Sequence, residues 1–260
     1  MPPSYAHASY DHVVTTLRSA GCVFAEDEAR LILSSARTPA ELASVLDRRA
    51  AGQPLEHVLG WAEFSGLRIA VEPGVFVPRR RTEFLVRQAV ALASDTPVVV
   101  DLCCGSGAVG AALVASLPGA ELHAADIDPA AVRCARRNVG VRGHVYEGDL
   151  FEPLPRGLRG RVAVLAANVP YVPTEEVGLL PPEARDHEPL VALDGGGDGL
   201  DVLRRVAVEA PRWLAPGGSL LVETSERQAD RAVAVFAAAG LRARLEVSEE
   251  LYANVVIGTR

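Results

Sequence analysis

One stretch, residues 98–113, limits what this chain can fold into more than any other part of the sequence. It begins with three consecutive valines, passes through a turn that contains Gly105 and Gly107, and ends in small residues with helical spacing. A buried parallel strand, a tight glycine turn and a helix N-terminus form the nucleotide-binding corner of doubly wound α/β proteins. Glycine suits such a turn because a Cβ atom would oppose a positive φ or the close approach of a ligand.

A carboxylate follows the glycine turn at the distance that an adenosine-type ligand requires. The next predicted strand, residues 120–126, ends in Asp126, where the two ribose hydroxyls of such a ligand would need an acceptor. Together the turn and the acid predict a cofactor that contains adenosine. The run from Gly105 to Gly110 also satisfies the dinucleotide pattern G-x-G-x-x-G, so the pattern by itself leaves NAD open.

Two further features distinguish between these cofactors. Asp101 precedes the turn in the arrangement Asp-Leu-x-x-Gly-x-Gly, which resembles the first motif of class I S-adenosylmethionine methyltransferases. Asn168-Val-Pro-Tyr171 follows a later predicted strand and resembles the Asn-Pro-Pro-Tyr signature of amide and amino methyltransferases. Because a dehydrogenase has no need of that signature, the sequence favours S-adenosylmethionine over NAD.

Composition and charge indicate the cellular compartment and exclude some classes of partner. The 260 residues suffice for one large or two unequal domains, and no apolar run approaches the roughly 18 residues of a membrane span. Residues 1–7 lack the features of a signal peptide, and the four cysteines lack metal-ligand spacing. We therefore expect a reduced, cytoplasmic protein without a metal or membrane site. The net charge of −7 argues against broad nucleic-acid binding.

The amino-terminal third predicts helices followed by a hairpin. Apolar residues recur at helical spacing between about residues 8 and 50, and Thr38-Pro-Ala-Glu41 is typical of a capped helix start. Residues 53–57 are expected to form a linker, and residues 61–78 alternate around Ser65-Gly66 as a β-hairpin does. We expect a helical substrate-docking domain over residues 1–52, a linker and hairpin over 53–78, and a catalytic domain over 79–260.

Strands and helices alternate from Pro97 onward, which predicts a mostly parallel sheet with helices on both faces. The expected strands are 98–103, 120–126, 142–147, 161–167, 218–224, 241–247 and 253–259. The expected helices are 107–117, 129–138, 199–214 and 226–239. Since the last connection is too short for a crossover helix, the final strand should be antiparallel. The predicted fold is that of a class I methyltransferase, a Rossmann-like, seven-stranded sheet.

From Arg48 onward the chain resembles the HemK-type family, the protein-glutamine N5-methyltransferases that act on peptide chain release factors. The matching stretches are residues 48–57, 76–83, the glycine turn, 124–129, 148–151, 168–171 and 187–196. The resemblance implies S-adenosylmethionine as cofactor and a release factor as the protein substrate. It also implies that the reacting atom is the side-chain nitrogen of a glutamine on a flexible, glycine-containing loop.

The resemblance assigns three groups of residues to the site. The expected catalytic residues are Asn168, Val169, Pro170 and Tyr171. The expected cofactor-binding residues are Asp101, Cys103, Gly105, Gly107, Asp126, Asp149, Leu150 and Asn168. Within them, Asp149 should contact the adenine amino group, with Leu150 and Phe151 beside the ring. The expected substrate-binding residues are Phe76, Pro78, Arg79, Thr82 and Glu83.

The chemistry of an amide explains why such a signature is needed. An amide nitrogen is a poor nucleophile because its lone pair is delocalised into the carbonyl group. The side-chain oxygen of Asn168 can accept one amide hydrogen, and the backbone carbonyl of Val169 can accept the other. Pro170 stiffens the loop, and Tyr171 offers a flat wall for a planar group. These acceptors favour an uncharged amide or aryl amine over an ammonium ion.

Three departures from the family pattern keep other functions open. Val169 replaces a proline, Cys103-Cys104 replaces a Gly-Thr pair, and the closing segment 251–256 lacks an Asn-x-Arg pattern. They are consistent with a divergent, actinobacterial-type paralogue. One alternative is an adenine-N6 methyltransferase for RNA or DNA, since adenine also presents an NH2 group on a planar ring. Another is a paralogue that binds the cofactor without turnover.

Overall fold

Helices form the amino-terminal part of the chain. The computed structural model describes residues 5–260, so residues 1–4 of the expected helical domain lie outside it. The helices are α1 (Tyr5–Ser19), α2 (Ala25–Ser35), α3 (Pro39–Ala50) and the short α4 (Leu55–Leu59). Helix α4 corrects the expectation of a linker over residues 53–57. It begins directly after Pro54, whose fixed φ suits a helix start.

The helical part has a core of its own and the expected capped helix. Buried residues of α1 and α2, among them Leu17 and Ile32, pack together with residues of α3. At the start of α3 the Thr38 hydroxyl accepts a hydrogen bond from the Glu41 backbone N–H at 3.1 Å. The Glu41 carboxylate accepts from the Arg37 N–H at 2.8 Å, one residue before the position expected for a capping box.

A two-stranded hairpin and one helix connect this part to the main sheet. Strands β1 (Trp61–Phe64) and β2 (Leu67–Ala70) pair antiparallel across the turn at Ser65 and Gly66. After a 3-10 turn at residues 80–82, helix α5 (Glu83–Leu92) leads to the sheet.

The predicted fold class is confirmed by the main sheet. Its strands are β3 (Val98–Leu102), β4 (Glu121–Asp126), β5 (Gly143–Glu147), β6 (Val162–Ala167), β7 (Leu214–Thr224), β8 (Arg242–Ser248) and β9 (Ala253–Thr259). Their order in space is β5-β4-β3-β6-β7-β9-β8. Strand β9 is antiparallel to both of its neighbours, as the short connection before it predicted, and the pairs from β5 to β7 are parallel.

Five helices connect the strands of the sheet. They are α6 (Ala108–Ser116), α7 (Pro129–Val139), α8 (Pro182–His187), α9 (Asp201–Trp213) and α10 (Ala229–Ala238). The four long ones correspond to the predicted helices, whereas α8 lies in the connection between β6 and α9 that the sequence left unassigned. No helix within residues 5–260 is long and apolar enough to cross a membrane.

A buried ion-pair network joins the helical part to α8. The guanidinium of Arg49, in α3, lies within 2.9 Å of both carboxylate oxygens of Glu28 and 2.6 Å from the carboxylate of Glu183. The Arg49 side chain is only 6% exposed. These contacts cross the expected domain boundaries at residues 52 and 78, and the division into three domains stays a prediction.

A second buried charge, on Asp101, ties β3 to α6. Its carboxylate accepts a hydrogen bond from the Gly110 backbone N–H at 2.8 Å, and within the described residues it has no cationic partner. Burial raises the pKa of the Asp101 carboxyl group to about 7.

Substituting Arg49 tests the ion-pair network. Arg49→Met should lower the free energy of unfolding by about 3 kcal/mol, because it leaves the buried Glu28 carboxylate without its partner. Arg30→Met is the matched control, since Arg30 forms an exposed pair with Asp27 and should contribute less than about 0.5 kcal/mol. Urea denaturation followed by circular dichroism measures both. Equal losses in the two variants would contradict the structural role of Arg49.

Asp101 should make stability depend on pH. Its folded-state pKa of about 7 exceeds the unfolded value of about 3.9, so the folded protein binds this proton more tightly. The free energy of unfolding should therefore fall as pH rises from about 4 to about 7, by at most about 1.4 kcal/mol per pH unit. Asp101→Asn should make this slope clearly shallower by removing the share of one group, whereas the exposed Asp95→Asn should leave it unchanged. Denaturation curves across that pH range check it; equal slopes in the wild type and in Asp101→Asn would be the contrary result.

Candidate active site

A cavity of about 620 Å³ lies at the carboxyl ends of β3, β4 and β6. The chain passes from β3 outward to β4 and β5 and then returns to β6 on the other side of β3. Open α/β sheets bind ligands at such a reversal of strand order, because the loops on the two sides diverge there. The cavity volume lies within the range of small-molecule sites.

The glycine turn is held in place by Asp126. The Gly105 backbone N–H donates to one carboxylate oxygen of Asp126 at 2.8 Å, and the Asp128 N–H donates to the other at 2.9 Å. Gly105 has a φ of +54° and lines the cavity, and a Cβ atom on it would enter open space. Burial raises the pKa of the Asp126 carboxyl group, whereas these backbone donors oppose the rise.

Gly107 packs against a neighbouring helix, whereas we expected it to bind the cofactor. Its φ is +76°, and a Cβ atom on it would lie 3.0 Å from backbone and side-chain atoms of Ala135. It therefore permits close packing of α6 against α7, and it does not line the cavity.

Two residues other than glycine adopt left-handed backbone conformations on the cavity wall. Cys103 has a φ of +53° and Leu150 has a φ of +50°. Such conformations cost about 1 kcal/mol or more and cluster at functional sites. Burial raises the pKa of the Cys103 thiol, so this thiol stays neutral and does not act as a nucleophile.

An arginine that sequence analysis missed orients Asp149. The guanidinium of Arg205, in α9, lies 2.5 Å from the Asp149 carboxylate, and both residues line the cavity. Phe151, which we expected beside an adenine ring, is instead buried against Trp213 with ring centroids 5.4 Å apart. Phe151 does not line this cavity.

Residues 168–171 line the other half of the cavity, directly after β6. The side-chain oxygen of Asn168 is buried and has no hydrogen-bond partner among the described residues. Nearly all buried polar atoms in proteins are paired, so this oxygen is an acceptor free for the N–H of a ligand. Val169 and Pro170 are buried, and Tyr171 is half-buried.

The segment before α5 forms the wall that faces this signature. Arg79 donates to both carboxylate oxygens of Glu188 at 2.6 and 2.7 Å, and its guanidinium lies 4.8 Å from the ring centroid of Phe76. The hydroxyl of Thr82 is buried and lacks a partner within residues 5–260. Glu83 does not face the cavity. Its carboxylate accepts a hydrogen bond from the Ser65 N–H at 2.9 Å and supports the hairpin turn.

The cavity thus brings most of the expected site residues together. Those that line it are Phe76, Pro78, Arg79, Thr82, Asp101, Cys103, Gly105, Asp126, Asp149, Leu150, Asn168, Val169, Pro170 and Tyr171. Gly107 and Glu83 do not, and the individual roles of all these residues stay predictions. Sequence analysis also missed Arg81 and Glu188, whose ion-pair partners lie 142 and 109 residues away, beyond any local pattern.

The lining fits a cofactor with an adenosine part at one end and a reactive group at the other. Asp126 and Asp149 provide acceptors on the β4 and β5 side, where hydroxyl and amino donors would bind. The open space at Gly105 allows a ligand to approach the backbone closely. The unpaired Asn168 oxygen lies on the β6 side, where a second substrate would meet the cofactor.

Comparisons with known proteins agree with this geometry. Residues 66–175 match the family described as the methyltransferase small domain. A methyltransferase structure from Pyrococcus furiosus superimposes with a TM-score of 0.57 at 15% identity, covering 75% of this chain and 89% of that one, which supports the fold.

Two curated relatives are similar over most of the chain. A 4-amino-L-phenylalanine/4-methylamino-L-phenylalanine methyltransferase from Streptomyces pristinaespiralis is 37% identical over 203 residues, 74% of this chain and 68% of that protein. A release factor glutamine methyltransferase from Geobacter sulfurreducens is 40% identical over 208 residues, 78% of this chain and 72% of that protein. The same description applies to further relatives at 34–41% identity. The chain therefore belongs to the family of release factor glutamine methyltransferases.

Proposed function

We propose that this chain uses S-adenosylmethionine to methylate the side-chain amide nitrogen of a glutamine in a peptide chain release factor. The observation that carries the proposal is the unpaired, buried side-chain oxygen of Asn168, in a cavity that also contains the glycine turn and Asp126. The relatives named release factor glutamine methyltransferase support the choice of substrate. Since translation termination takes place in the cytoplasm, we also place the chain there.

The residues on the β3 and β4 side hold the cofactor, which supplies an electrophilic methyl group. Asp126 would accept hydrogen bonds from ribose hydroxyls, and its contact with the Gly105 N–H holds the glycine turn in the conformation that lines the cavity. Asp149 would accept a hydrogen bond from the adenine amino group, and Arg205 holds the Asp149 carboxylate in position. Cys103 contributes packing only.

The residues after β6 orient the amide. The Asn168 oxygen accepts one hydrogen of the NH2 group, and the carbonyl of Val169 accepts the other, so the nitrogen lone pair is directed at the methyl group. These acceptors also draw electron density toward the nitrogen as its hydrogens become acidic. Transfer would form the N–CH3 bond as the S–CH3 bond of the sulfonium breaks, and the methylated nitrogen, now cationic and strongly acidic, would lose its proton to water as the products leave. No strong base is therefore needed. Val169 and Pro170 are buried on this side of the cavity.

The substitution of proline by Val169 leaves this arrangement in place. Both residues supply the backbone carbonyl that the mechanism requires, and Val169 is buried in the core beneath the loop. Packing of the valine side chain thus restrains the loop conformation that a proline ring would otherwise restrain. We infer that Val169 does not by itself convert the chain to a non-catalytic paralogue.

The helical part is proposed to dock the protein substrate. Val23 and Phe24, in the turn between α1 and α2, are 83% and 69% exposed, so two adjacent apolar side chains face solvent. Exposed apolar residues of this kind contribute strongly when a partner covers them. Docking there would present a flexible, glycine-containing loop of the substrate to the cavity. Such a loop binds weakly when it is not attached to a docked protein.

A second candidate substrate is a small aromatic amine. The Streptomyces pristinaespiralis relative is named for 4-amino-L-phenylalanine, whose NH2 group is also attached to a planar system. The same pair of acceptors would suit that group. Adenine in a nucleic acid remains the third planar amine, and the net charge of −7 disfavours it.

Asn168→Ala should reduce methyl transfer to the release factor by about 10²-fold or more, because it removes one preorganised acceptor. Binding of S-adenosylhomocysteine, measured by calorimetry, should change little. Asn254→Ala in β9, outside the cavity lining, is the matched control. Transfer is followed with labelled methyl groups, and mass spectrometry locates the product. A methyl group on adenine, or faster transfer to 4-amino-L-phenylalanine than to the release factor, would overturn the proposed substrate.

Val23→Ser combined with Phe24→Ser tests the docking surface. The pair should raise the KM for intact release factor by about tenfold and leave the much poorer turnover of the isolated loop peptide unchanged, because the peptide cannot reach the helices. Val141→Ser is the control, since Val141 is a fully exposed valine distant from this turn in the sequence. Equal KM values for the wild type and the double variant would refute docking at this turn.

A further inference from the structure

Three side chains from distant segments meet at the edge of the cavity. The Arg81 Nε atom donates to a carboxylate oxygen of Glu223 at 2.9 Å, and another nitrogen of the same guanidinium donates to the Tyr171 hydroxyl. The guanidinium carbon also lies 5.9 Å from the centroid of the Tyr171 ring. Arg81 and Tyr171 line the cavity, whereas Glu223 lies behind them in β7.

Glu223 anchors Arg81 because a buried carboxylate needs a cation. The Glu223 side chain is 3% exposed, and Arg81 is its only ion-pair partner among the described residues. Its second carboxylate oxygen is buried without any partner there. Moving the guanidinium away would leave this charge uncompensated, so the position of Arg81 is strongly determined.

Tyr171 depends on this anchor for its orientation. It follows the buried Pro170, and its half-buried ring borders a large cavity. Among the described side chains, Arg81 is the only hydrogen-bond partner of the Tyr171 hydroxyl. A planar guanidinium can donate to a carboxylate and to a hydroxyl at the same time, which an ammonium group does less well.

We propose that Arg81, anchored by Glu223, is a positioning residue that fixes the ring of Tyr171 against the methyl-accepting group. This inference rests on the proposed methyl transfer. The contact lies on the substrate side of the cavity, across from Asp126, so its loss affects the substrate more than the cofactor. Arg81 acts through Tyr171 and takes no part in proton transfer.

The neighbouring arginines show that the position is specific. Arg79 forms its ion pair with Glu188, and among the described residues it makes no hydrogen bond with Glu223 or Tyr171. Arg80 is exposed, does not line the cavity, and has no side-chain hydrogen bond or ion pair among the described residues. Arg80 therefore provides a control of the same residue type in the same 3-10 turn.

A double-mutant cycle tests the proposal in the full-length enzyme. Arg81→Gln and Tyr171→Phe should each lower kcat/KM for the release factor by about tenfold, a typical value for a hydrogen bond to a charged group. Because both remove the same contact, the double variant should lose little more than either single variant. The dissociation constant for S-adenosylhomocysteine should stay within about twofold, and Arg80→Gln should match the wild type. Additive losses, or an equal loss in Arg80→Gln, would overturn the proposal.

A variant that removes the charges of both Arg81 and Glu223 keeps the test valid if the single variant does not fold. If Arg81→Gln is unstable, Arg81→Gln combined with Glu223→Gln leaves no buried charge, and it should show the same loss of kcat/KM. Recovery of wild-type kcat/KM in that pair would mean that Arg81 only neutralises Glu223, and the positioning role would be refuted.

A titration separates this inference from the proposed function. Burial raises the pKa of the Tyr171 hydroxyl, and the Arg81 cation opposes the rise. Arg81→Gln should therefore raise the pKa of Tyr171 further, as measured by tyrosinate absorbance after subtraction of the Tyr171→Phe spectrum. An unchanged Tyr171 titration in an active enzyme refutes the contact. A wild type that transfers no methyl group refutes the proposed function, and with it the role of Arg81 in catalysis.

Discussion

The carboxylate of Asp126 is the interaction on which the rest of the site depends. It accepts hydrogen bonds from the backbone of Gly105 on one side and of Asp128 on the other, and so joins the loop after β3 to the start of α7. Without these bonds neither loop would keep the geometry that leaves space for a ligand. The same carboxylate lines the cavity, so one side chain both builds the cofactor side and faces its occupant.

Pairs of arginine and glutamate assemble the opposite side of the cavity. Arg79 with Glu188 and Arg81 with Glu223 connect the segment before α5 to parts of the chain more than 100 residues further on. The chain contains no lysine, so every such pair uses a guanidinium that stays charged at any physiological pH. The glycine turn thus rests on backbone hydrogen bonds to Asp126, whereas the segment before α5 is held by ion pairs.

The difference between the two sides explains what could be predicted from the sequence. The glycine turn, Asp126 and the strands that carry them follow from local patterns of glycine and apolar residues, so the sheet and the cofactor side were predictable. Residues 79–81 are three consecutive arginines in the sequence, but the partners of Arg79 and Arg81 depend on the tertiary fold. Gly107, Glu83 and Phe151 were predicted from motif positions, and packing directs each of them away from the cavity.

The contact between Arg49 and Glu183 has a thermodynamic consequence. Glu183 lines the cavity, and Arg49 belongs to the helical part, so the two regions share a buried charge network. A ligand in the cavity that holds Glu183 in place would strengthen this contact, and a protein docked on the helices as proposed would do the same if it held Arg49. Linkage then requires reciprocity: whatever free energy the first ligand contributes to binding of the second, the second contributes equally to binding of the first. The order in which cofactor and protein arrive leaves their joint affinity unchanged.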